Sequence, residues 1–201
     1  MAIRAVVFDV GGVLALVEPM DFGRRESELG LATGAIEAVM ADVWAAGATG
    51  RVTEAEVHRS LRTRLELTAE QADAAMAGMW RQYLGVANTE LIGYARSLRP
   101  AYRTGILSNS FVGAREREQR AYGLGDLVDE LIYSHEVGRT KPDPALWGIA
   151  CERLKVSPGE MVFLDDVPRI VDSAREFGIE AVLFENTSQS IADIDALLSN
   201  A

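Results

Sequence analysis

Short apolar runs rich in β-branched residues recur along the chain, each closed by turn-forming residues. Ala5–Val10 (AVVFDV) is the first. It stops at Gly11-Gly12, the pattern of a buried strand ending in a turn. Thr104–Leu107, Leu131–Tyr133, Met161–Leu164 and Ile179–Phe184 repeat it. Between these runs the apolar spacing lengthens to that of helices with recognisable ends. Asn88-Thr89 can cap a helix over Glu90–Leu98 ahead of Pro100, and Pro142–Leu154 opens on Pro-Asp-Pro. Val167–Phe177 stops at Gly178, where a left-handed residue is expected. Strands alternating with helices predict an α/β fold, a parallel sheet covered on both faces.

The stretch from about Met20 to Tyr83 breaks this alternation. It carries helical spacing over Ala35–Ala46, Thr53–Leu65 and Thr68–Leu84 and no convincing strand. Thr53 with Glu56, and Thr68 with Gln71, fit capping boxes. Trp44, Met76, Met79 and Trp80 fall at helical spacing and are expected in the core of this insert. An all-helical unit is therefore predicted between the first strand and the rest of the sheet.

Composition narrows the function classes. At 201 residues, 48% of them hydrophobic, the chain can bury a full core as one domain with a smaller insert. A formal net charge of -10 argues against a nucleic-acid partner. Arg24-Arg25, Arg59–Arg64 and Arg115–Arg120 are interleaved with acidic residues and read as solvated helix faces. Cys151 stands alone, which excludes an intrachain disulfide and a cysteine-cluster Zn²⁺ site. The Met1–Val7 start lacks a signal-peptide pattern, and no run approaches the ~20 apolar residues of a membrane span. A cytoplasmic enzyme with no nucleic-acid or membrane partner is expected.

In open α/β sheets ligands bind beyond the carboxyl ends of the strands. Asp9, Ser108-Asn109-Ser110, the Ser134–Lys141 segment and Asp165-Asp166 all fall there. Singly these are ordinary turn or surface residues. Together they answer one physical problem, since a carboxylate nucleophile is repelled by a dianionic phosphate monoester. Mg²⁺ held by Asp9, Asp166 and a backbone oxygen would cancel that repulsion. Lys141 would neutralise the remaining charge, while the Ser108 hydroxyl and nearby N–H groups bind the equatorial oxygens. Asp9 could then attack phosphorus to give an aspartyl-phosphate that water hydrolyses.

These segments resemble, in order, the four motifs of the haloacid dehalogenase-like superfamily: Val6-Val-Phe-Asp9-Val-Gly-Gly-Val-Leu14, Ile106-Leu-Ser108-Asn-Ser, Gly138-Arg-Thr-Lys141-Pro-Asp-Pro and Val162-Phe-Leu-Asp165-Asp166. The resemblance implies a Rossmann-like core over residues 1–17 and 86–201, with a mobile helical cap over 18–85. It also implies Mg²⁺-dependent hydrolysis of a small phosphorylated metabolite such as a sugar phosphate. By the same resemblance Asp9 is nucleophile and metal ligand, Gly11 lends its carbonyl to the metal, and Ser108 and Asn109 bind phosphate. Lys141 pairs with phosphate and Asp9, Asp166 ligates the metal directly and Asp165 supports it.

Two positions depart from the phosphatase pattern. Gly11 stands where a second Asp acts as general acid and base, help typically worth about 10²–10⁴-fold. Ile170 replaces a residue often polar in the fourth motif. Glu18 and Asp21 are candidates for the missing acid, and the loop Gly47–Arg51 for contact with substrate. The alternatives are a metal-independent 2-haloacid dehalogenase, and a weakly active phosphate-binding or regulatory protein.

Overall fold

The computed structural model describes residues 2–199. In chain order its elements are β1 Ala5–Phe8, β2 Ala15–Leu16, α1 Phe22–Glu28, α2 Ala35–Ala48, α3 Glu54–Arg64, α4 Ala69–Leu84, β3 Val86–Ala87 and α5 Thr89–Ser97. They continue with β4 Arg103–Ser108, α6 Ala114–Tyr122, α7 Leu124–Leu127, β5 Glu130–Tyr133, α8 Ser134–Val137, α9 Pro144–Leu154, β6 Met161–Asp165, α10 Pro168–Glu176, β7 Glu180–Leu183 and α11 Thr187–Ser199.

Five strands form a parallel sheet in the order β5-β4-β1-β6-β7. Its two faces follow from the two-residue period of a strand. Val6, Phe8, Ile106 and Leu164 point into one core with Leu91 and Ile194, from α5 and α11. Val7, Leu107 and Phe163 point into the other with Trp147 and Val171, from α9 and α10. Strands apolar on both sides are what a sheet sandwiched between helices requires. The architecture is thus the expected Rossmann-like α/β fold.

The helices α1–α4 bury a separate core around Ile36, Met40, Val57, Leu61, Met76 and Trp80, with Trp44 and Met79 packed against it. Both capping boxes form, on Thr53 with Glu56 and on Thr68 with Gln71. Two features were not legible in the periodicity. One is α1, seven residues capped by Asp21, whose buried Glu26 carboxylate accepts hydrogen bonds from the N–H groups of Gly34 and Ile36 at the start of α2. The other is the antiparallel pair β2–β3, which ties together the two ends of the helical segment with two residues per strand. Both are too short to leave a repeat.

Candidate active site

Because β4, β1 and β6 lie side by side and run parallel, their carboxyl ends bring Ser108, Asp9 and Asp165-Asp166 to one edge of the sheet. Lys141, from the loop after α8, completes the group. Its side chain is fully buried, with Nζ 2.9 Å from Asp9 Oδ1 and 2.6 Å from Asp165 Oδ2. The other oxygen of Asp165 accepts the Val167 N–H at 2.9 Å, so Asp165 holds the lysine and the loop rather than projecting freely. Asn109 clamps the lysine from behind. Its carbonyl oxygen accepts the Lys141 N–H at 2.7 Å, and its amide donates to the Lys141 carbonyl at 3.1 Å.

Burial pushes the Asp9 carboxyl up to about 7 against the pull of the Lys141 ammonium, and the nearby Asp165 charge pushes the same way. Burial, then Asp165, also raises Asp166. Carboxylate oxygens of Asp9, Asp165 and Asp166 lie within 4.8 Å of one another. Three carboxylates against one ammonium, two of them buried and Asp166 at the open rim, leave surplus negative charge, a site that favours a cation. An all-oxygen donor set suits a hard ion such as Mg²⁺. The space for Asp166 depends on Gly12: a Cβ there would stand 2.1 Å from Asp166 Oδ2, and its φ of +82 favours glycine besides. Gly11 is different, since a Cβ would meet only Val17 Cγ2, at 4.0 Å.

A cavity of about 280 Å³ opens in front of Gly11, Ser108 and Asn109, and Tyr83 and Glu118 line it as well. Glu118 is 1% exposed and accepts the Tyr133 hydroxyl at 2.5 Å; burial pushes its carboxyl up to about 6. The expectation that Arg115–Arg120 forms a solvated face is therefore corrected. This stretch is α6, one face of which packs under α4. Arg117 pairs with Glu54 at 2.6 Å and lies 4.1 Å over the Trp80 ring, while Glu118 turns inward. An inward acid in a run of alternating charge leaves no local signal, and it emerges only once α4 is in place.

Other candidates fall as follows. Glu18 lines the cavity and is exposed, whereas the Asp21 side chain is occupied as the cap of α1. Of the expected Gly47–Arg51 loop, Gly47 and Ala48 end α2, and this end meets the sheet-bearing part of the chain. The Ser134 hydroxyl donates to the Ala48 carbonyl at 2.7 Å, and the Val112 N–H donates to that of Gly47 at 3.2 Å. Ile170 is buried in the core, a packing role. His58 pairs with Asp73 and His135 with Ser110, both away from the acidic group. Cys151 is buried.

Comparison with known proteins gives a match to a family model described as haloacid dehalogenase-like hydrolase over residues 3–178. The bifunctional epoxide hydrolase 2 of Sus scrofa is 28% identical over 97% of this chain, which spans only 39% of that protein. The D-ribitol-5-phosphate phosphatase of Bacteroides thetaiotaomicron is 25% identical over 98% of this chain and 100% of its own length. A solved HAD family enzyme of the same bacterium, in complex with magnesium and inorganic phosphate, superposes with a TM-score of 0.76. It is 21% identical, and the match covers 94% of this chain and 99% of that one.

Proposed function

The chain belongs to the haloacid dehalogenase-like hydrolases, and from that premise we propose that it is a Mg²⁺-dependent phosphatase of a small phosphorylated metabolite, a sugar or polyol phosphate. The carrying observation is the buried contact of Lys141 with Asp9 and Asp165 beside Asp166, an acidic group facing Ser108 across the mouth of the sheet. The relative acting on ribitol phosphate and the fold neighbour holding magnesium and phosphate support the same reading.

Asp9, Asp166 and the Gly11 carbonyl would hold Mg²⁺, supported by Asp165; the ion would supply the positive charge that lets a phosphate dianion approach a carboxylate. Asp9 attacks phosphorus, and water then hydrolyses the aspartyl-phosphate. Lys141 orients Asp9 and draws the phosphate oxygens, with Asn109 fixing its main chain. The Ser108 hydroxyl and the main-chain N–H groups that follow bind the equatorial oxygens. Residues 18–85 act as a cap that closes over the core and excludes water. With Gly11 in place of an acid, the leaving oxygen takes its proton from solvent.

The test is a screen of phosphorylated metabolites with wild type and Asp9→Asn, with and without EDTA. Activity lost in Asp9→Asn and in EDTA is expected. Turnover that survives EDTA favours the metal-independent dehalogenase instead. No Asp9-dependent release from p-nitrophenyl phosphate, whose leaving group needs little protonation, favours a phosphate-binding module.

A further inference from the structure

The cavity before the acidic group is lined by Gly11, Ser108 and Asn109 together with Glu118 and Tyr83, and by apolar side chains that include Val17 and Met20. Its volume of about 280 Å³ lies at the small end of ligand pockets, so the leaving group it admits is small.

Glu118 is the unusual member of this lining. The neighbouring arginines of α6 are engaged elsewhere, Arg115 with Glu136 and Arg117 with Glu54. What holds the Glu118 carboxyl is the Tyr133 hydroxyl, with the Tyr83 phenol of α4 beside it. A carboxylate has room for about four hydrogen bonds, and a buried one short of donors is costly. Burial first, then the Glu118 charge and, more weakly, that of Asp9 push the Tyr83 phenol up. Glu118 lies on α6, outside the Asp9, Asp165 and Asp166 group whose oxygens stand within 4.8 Å of one another, and so meets a bound ester away from the reacting phosphorus.

Resting on the phosphatase reading, we propose that Glu118 determines specificity. It accepts a hydrogen bond from a hydroxyl or ammonium at the far end of a small leaving group, selecting donor-bearing phosphate monoesters over plain alkyl ones. Glu18, also on this wall, is exposed and water-screened, so it carries little of that choice.

The experiment is calorimetric binding, with Mg²⁺ present, of n-butyl phosphate and its ω-hydroxy and ω-amino analogues to the Asp9→Asn protein, with and without Glu118→Gln. The two donor-bearing ligands are expected to bind about tenfold or more tightly than n-butyl phosphate, the weight of one hydrogen bond to an ionised acceptor. Glu118→Gln is expected to shrink that preference, most for the ammonium arm. n-Butyl phosphate affinity should hold, which also reports that the variant is folded. Equal affinity for all three, a preference unchanged by the substitution, or an equal loss for all three overturns the proposal. Failure of wild type to turn over phosphates, with the preference intact, sinks the phosphatase reading and leaves the pocket assignment standing. No binding of any of the three overturns both.

Discussion

Removing Lys141 breaks its buried ion pairs with both Asp9 and Asp165. Without its ammonium, Asp9 and Asp165 face one another with no counter-charge at a buried site. Lys141→Met should lose about 3–5 kcal/mol in chemical denaturation, the range for a buried pair broken on one side. Mg²⁺ should then raise the Tm of the variant more than that of wild type. An equal response would show that surplus negative charge is not what the lysine offsets. The adjacent glycines separate cleanly. Gly11→Asp enters open space and should raise turnover of alkyl phosphates more than of aryl ones, since only the former need a strong acid. Equal effects on both would mean that proton delivery is not limiting. Gly12→Ala meets Asp166 at a left-handed φ and should weaken Mg²⁺ binding, measured by calorimetry, along with stability.

At the scale of elements, several contacts seat the helical segment on the sheet-bearing part of the chain. Arg117 of α6 is held between Glu54 of α3 and Trp80 of α4, and the turn after α2 meets Ser134. Gly50 in that turn has a φ of +68, and a Cβ there would stand 1.9 Å from the His135 carbonyl oxygen, an atom of the main chain that cannot swing aside. Gly50→Ala should therefore lower stability by about 1–2 kcal/mol or more and raise KM with kcat less affected. An unchanged KM would show that the seating of this turn is not felt by substrate. The site segments themselves were legible because each is local: a β-branched run, a turn, and a charged residue at a strand end. Glu118 was not, because burial of one acid among arginines is decided by its packing against α4 and its bond to Tyr133 of β5.

For the whole molecule, burial ties stability to pH. Glu118 rises from 4.5 to about 6 on folding, so the native state binds this proton more tightly than the unfolded chain does. The ionised carboxylate therefore withdraws stability as pH climbs through that window, by up to about 2 kcal/mol. Between about pH 4 and pH 8, Glu118→Gln should gain on wild type by up to that amount, read from denaturation at the two extremes. A difference that does not change with pH would argue that Glu118 is no harder to ionise in the fold than out of it.

The strands of the main sheet, the helical insert after the first of them, the two-sided apolar sheet, the capping boxes and the charged strand ends were determined by the sequence alone. Each rests on preferences that act over a few residues, and a parallel sheet brings its strand ends together whatever lies between them. Only the tertiary structure decided how those ends are completed. Gly12 is needed because Asp166, distant in sequence, stands where its side chain would be. Asn109 serves the Lys141 main chain, and Glu118, held by the Tyr133 hydroxyl, lines a cavity together with Tyr83. These are contacts between remote segments, where shape and charge across a gap choose the partner and local pattern carries no record of it.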